Sequence, residues 1–107
     1  MKQEEKREKE RAVVNTFKSA ALEWHAYKSA KWTEEYADSM MACLEMDVFP
    51  FIGRQDITSI KPADMLDVLR RMEARNVLHK LKKVRQACKQ IFTFAIITGK
   101  AQYNPAN

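Results

Sequence analysis

The sequence predicts an all-α domain, built as a compact four-helix bundle, and three observations predict it. Only two glycines and three prolines interrupt the 107 residues. The strong helix formers Ala, Glu, Lys, Arg, Leu and Met abound. No alternating apolar run bounded by turn residues marks a strand. A 46% hydrophobic content over this length fits one modest core and is too little for two independent domains.

The opening "MKQEEKREKERAVV" mixes both signs of charge and holds almost nothing apolar before Ala12. Residues 1–12 therefore read as a charged linker or helix extension, and 13–107 as the domain. From Thr16 the pattern changes: Phe17, Ala20, Ala21, Trp24 and Tyr27 recur at intervals of three or four, one face of a helix to about Ser29. A second helix opens at "WTEEY", where Thr33 can cap the free N–H groups and Glu34 and Glu35 suit the positive end of the helix dipole. Its buried face is Ala37, Met40, Met41, Leu44 and Val48, and Pro50 stops it. In the connector "FPFIGRQDITSI", Phe49, Phe51, Ile52, Ile57 and Ile60 anchor to the core and Gly53 makes a turn.

Pro62 at a first helical position, with Asp64 in the first turn, starts a third helix over Ala63, Leu66, Leu69 and Met72. Asn76 is its left-handed stop. The fourth helix is carried by "LHKLKKVRQACKQIFTFAIITGKAQYNPA", residues 78–106, and ends at Gly99. At 3.6 residues per turn Leu81, Val84, Cys88, Ile91, Phe92 and Ala95 share its inward arc. His79, Lys82, Lys83, Gln86, Lys89, Gln90 and Thr93 face outward, with Lys80 and Arg85 on the flanks.

Charge is distributed unevenly along the chain. Residues 1–73 hold 12 basic and 14 acidic side chains, whereas residues 74–107 hold seven basic and none acidic. A one-ended positive field suits a polyanion, since it concentrates potential where phosphates can meet it and keeps carboxylates away. Gln and Thr among the lysines can bond base edges or phosphate oxygens. A solvated basic face without a partner is the plainer reading of the same pattern.

Other classes find little support. No apolar run approaches the ~20 residues of a membrane span, and no apolar segment follows the charged start as in a signal peptide, so a soluble cytoplasmic protein is expected. Cys43 and Cys88 lie far apart without CxxC spacing, and read as small buried thiols; no metal or cofactor is expected. His25 and His79 belong to no HExxH or Ser/His/Asp pattern, and no Gly-rich phosphate loop occurs. Trp24 and Trp32 read as core or helix-junction anchors, and Tyr27, Tyr36 and Tyr103 as surface or packing residues.

The blocks F-x6-W (Phe17 to Trp24), Trp32-Thr33, "LEMDVFPFIG", "ITSIKPADMLDVLRRMEARN" and "VRQACKQIFTFAIITGKAQYNPA" occur in this order. As an ordered set, over roughly residues 16–107, they resemble the SAM-like core-binding domain of prophage integrases, tyrosine recombinases of the satellite-phage and genomic-island type. Two positions depart: Lys61 stands where that family usually has a Thr or Ser cap, and Asn76 where glycine is usual.

The resemblance implies a bacterial, nucleoid-associated protein in which this domain covers one face of double-stranded attachment-site core DNA. It also implies a catalytic domain of the same parent chain, carrying the arginines and the nucleophilic tyrosine, and other integrase protomers as partners. This chain alone is then expected not to cut DNA. Matched residue by residue, the DNA contacts implied are Lys31, Thr33, Tyr36 and Ser39 around the second helix. On and beyond the fourth they are Lys80, Lys82, Lys83, Gln86, Lys89 and Lys100. Two rivals stand beside this: a helical interaction module whose basic face meets an acidic protein, and a complete enzyme acting through Tyr36 or His79.

Overall fold

The computed structural model describes residues 15–106, so the linker assigned to residues 1–12 lies outside the described residues. Helix α1 spans Phe17–Ser29, α2 Glu34–Asp47, the single turn α3 Phe49–Ile52, α4 Pro62–Ala74 and α5 Leu78–Ile97, with a 3-10 turn at Ile57–Ser59 between α3 and α4. The described residues contain no strand, only an isolated bridge between Thr16 and Asp56. The four expected helices are present, together with the one-turn α3.

Local chemistry sets the ends. The Thr16 hydroxyl oxygen accepts from Ser19 N at 3.1 Å, and that of Thr33 from Tyr36 N at 3.1 Å, so each satisfies a free donor of its helix. Lys61 has no side chain able to cap; instead Asp64 reaches back and accepts from Lys61 N at 2.9 Å. Half a capping box replaces the missing Thr or Ser. Asn76 takes φ 59°, the left-handed stop expected, and Gly99 takes φ 81° just beyond the end of α5 at Ile97.

Pro50 plays a different part from the one expected. The second helix already ends at Asp47, Val48 leaves helical geometry, and Pro50 sits inside the first turn of α3, where its missing N–H costs nothing. Gly53 then closes that turn with right-handed geometry. A Cβ there would lie 2.6 Å from the Phe49 carbonyl oxygen, so glycine is required by close approach. The same loop ties down the start of α1, since Gly53 O and Gln55 O accept from Lys18 N and Phe17 N at 2.9 and 3.0 Å.

Helix α5 lies along α1 and α4, burying Val84, Ala87, Cys88, Ile91, Phe92 and Ala95. The Phe17 and Phe92 rings meet at 5.3 Å between centroids at the centre of the core. On α4 the buried face is Met65, Val68 and Met72, whereas Ala63 and Leu66 are exposed. Of the expected set Met72 is buried and Leu69 half-buried, while Ala63 and Leu66 miss the core because a strict three-residue step drifts back by about 60° each time. Ala63 and Met72 thus fall on opposite sides of the helix. Phe51, expected to anchor to the core, is also exposed, as is Tyr27 at the edge of the apolar face of α1, while Cys43 and Cys88 are buried free thiols.

At the far end of α2, Asp47 is only 2% exposed and pairs with the Arg75 guanidinium, which also meets Met46 Sδ at 3.4 Å. Its Oδ2 has no partner among the described residues. This bridge fixes the α4–α5 turn to the end of α2.

Candidate nucleic-acid interface

The junction between α1 and α2 faces the first half of α5. His25 Nε2 donates to the Ala37 carbonyl at 2.7 Å, locking the first turns of α2 against α1. Trp32, at the junction, stands edge-on to Trp24 (5.4 Å between centroids) and to Tyr36 (4.9 Å). These rings form the floor and one wall of a groove of about 600 Å³. The opposite wall is His79, Lys82, Lys83, Gln86 and Gln90 of α5, and Lys28 of α1 also lines the groove.

A smaller cavity of about 330 Å³ continues from it, sharing Trp24, Lys28, Gln86 and Gln90 and adding Tyr27, Lys89, Thr93, Phe94 and Ile97. No carboxylate lines either one. The arrangement offers ammonium groups and amides above aromatic surface, a combination suited to phosphate oxygens and base edges.

The sequence-derived residues divide accordingly. Tyr36, Lys82, Lys83 and Gln86 line the first cavity and Lys89 the second. Ser39 joins them through Lys83, whose Nζ donates to Ser39 Oγ at 3.1 Å. Thr33 is engaged as the cap of α2. Lys31 stands over the Tyr27 ring at 5.4 Å, and Lys80 is half-buried; neither lines these two cavities. Lys100 pairs with Glu23 and borders a separate cavity with Ile57, Thr58 and Tyr103. Arg85 is exposed and, among the described residues, forms no ion pair.

Lys28 escaped the sequence reading although the signal was present: it follows Trp24 by four positions, hence on the same face of α1. Behind the groove, burial pushes the Cys88 thiol up to about 12, which leaves it an inert core group at neutral pH. No grouping of His, Cys, Asp and Glu able to hold a metal occurs among the described residues, and none of their helices is long and apolar enough to cross a membrane.

Fold and groove together define an all-helical module with a carboxylate-free basic face. Residues 17–107 match the family description of the phage integrase central domain. The chain is 37% identical over 92 residues to the prophage integrase IntS of Escherichia coli K12 and, equally, to the integrase of Shigella phage Sf6, covering 86% of this chain and 24% of each relative. The integrase of Enterobacteria phage P4 is 29% identical over 98 residues, 92% of this chain and 22% of that protein. Among solved structures, the NMR structure of a fragment of the E. coli phage integrase IntS superposes with a TM-score of 0.81 at 36% identity, covering 87% of this chain and 79% of that one. The chain belongs to the phage integrase central domain family. It spans about a quarter of the length of the relatives it matches (24%).

Proposed function

We propose that this domain binds duplex DNA at the core of an attachment site, through α5 and the start of α2, within a site-specific tyrosine recombinase. The single observation that carries the reading is the carboxylate-free groove wall of Lys82, Lys83, Gln86 and Gln90, continued by Lys89, in a chain of the integrase family. Lysines there neutralise backbone phosphates, and Gln86, central on the wall, is placed to bond a base edge. Lys31, Thr33 and Lys80 take peripheral parts, contacting phosphates at the rim of the footprint, whereas Lys100, paired with Glu23, is left to the fold. The catalytic domain of the parent recombinase and neighbouring protomers are the protein partners this reading implies, and bacterial DNA in the cytoplasm is its location.

Fluorescence anisotropy with a labelled duplex over a range of salt concentrations tests it. Each neutralised phosphate releases counterion, so log affinity falls linearly with log salt at a slope of about −0.9 per contact. A flat salt response, or preference for an acidic protein over DNA, would overturn the reading.

A further inference from the structure

One lysine of the groove differs from the rest. Lys83 is half-buried, donates to Ser39 Oγ at 3.1 Å and lies 4.7 Å from the centroid of the Tyr36 ring. Lys82 and Lys89 are exposed and have no such partners among the described residues. The holding group is itself held. Tyr36 N is fixed by the Thr33 cap, its ring is braced edge-on by Trp32 at 4.9 Å, and Trp32 by Trp24 at 5.4 Å. Ser39 follows Tyr36 by three positions and so shares its helix face.

Both contacts leave the ammonium its charge, because a ring face and a hydroxyl oxygen are neutral acceptors. A carboxylate in their place would cancel it. We propose that Tyr36, with Ser39, is a positioning residue that holds Lys83 ready for one DNA phosphate, its hydroxyl making no contact with DNA. The proposal rests on the DNA-binding reading. Lys83 then meets the phosphate with much of its side-chain freedom already surrendered in the free protein, whereas Lys82 and Lys89 lose theirs on binding.

The test uses this chain with Tyr36→Leu, Tyr36→Phe, Lys83→Ala and the double variant, a random-sequence duplex as probe, and NMR order parameters of the lysine side chains without DNA. Tyr36 is 42% exposed, and circular dichroism serves to check that each variant folds. Lys83 is expected to be more ordered than Lys82, Tyr36→Leu to abolish the difference, and Tyr36→Phe to preserve it. Tyr36→Leu should weaken duplex binding ~2- to 5-fold, the worth of an exposed cation–π contact, at an unchanged salt slope because the charge remains. Tyr36→Phe should bind like the unaltered chain, and Lys83→Ala should flatten the slope by about one phosphate contact. In the Lys83→Ala background, Tyr36→Leu should have no further effect.

Equal loss in Tyr36→Phe and Tyr36→Leu would show that the hydroxyl itself touches DNA and overturn the proposal. So would a Lys83 side chain as mobile as Lys82, or an undiminished Tyr36→Leu effect without Lys83. If the unaltered chain bound no duplex, the DNA-binding reading would fall and the phosphate role with it. The order parameters, which need no DNA, would still report whether Tyr36 holds Lys83.

Discussion

The basic residues around the α4–α5 turn and the α5 exit contrast with those of the groove. Arg75 and Lys100 each face a carboxylate, Asp47 and Glu23, which ties one helix to another and cancels their charge. Lys82, Lys83 and Lys89 line cavities without a carboxylate. Arg75 and Lys100 serve the fold, and the lysines of the groove remain available to a ligand. Net charge alone does not distinguish the two groups; the nearest oxygen does.

This contrast should break most visibly at Arg75. Removing one partner of a buried pair strands the other charge, at a cost of ~3–5 kcal/mol when both are buried. Arg75 is 46% exposed on its side chain, so water offsets part of that, and Arg75→Ala is expected to cost about 2–3 kcal/mol in urea unfolding. Duplex affinity of the folded protein should not change. Gln86→Ala should do the reverse, leaving stability unchanged but costing ~1–3 kcal/mol on a high-affinity duplex selected from a random pool, and little on random DNA.

These differences also mark what the sequence made legible. The inward arc of α5, the Thr33 cap and the Asn76 stop follow from neighbours within about one or two turns, where helical spacing and backbone sterics decide. The outward cations of α5 could be located in the same way, but not which of them are held. Lys83 and Ser39 are 44 positions apart, and Arg75 and Asp47 28; only packing brings them together. The buried Asp47 gave no local signal, since an aspartate late in a polar helix turn normally faces water. On α4 the drift of a three-residue step misplaced the apolar face, although Met65, Val68, Leu69 and Met72 at i, i+3, i+4 and i+7 were present.

Smaller effects sharpen the contrast. Lys100→Ala removes a partly exposed ion pair and should cost less than ~1 kcal/mol of stability; a large loss of duplex affinity instead would move Lys100 into the binding group. Cys88 supplies a pH test of the core behind the groove. Its thiol is raised by burial from 9.0 to about 12, so above pH ~9 the unfolded chain loses a proton that the folded chain keeps. Its contribution is therefore fully present below that pH and is lost as pH rises from 9 towards 12. Urea unfolding at about pH 8 and about pH 10.5 should show a steeper alkaline decline in the unaltered chain than in Cys88→Ala.

The central claim, that position in the groove rather than total charge governs binding, is tested most directly by the salt dependence of duplex affinity for three proteins: the unaltered chain, Lys82→Ala and Lys61→Ala. Lys61 is exposed at the start of α4 and lines neither groove cavity. Removing Lys82 should weaken binding on every duplex and flatten the slope by about one phosphate contact, while removing Lys61 should leave both within error. Equal losses at Lys61 and Lys82 would contradict the account, because net charge would then suffice and the groove would carry no special role.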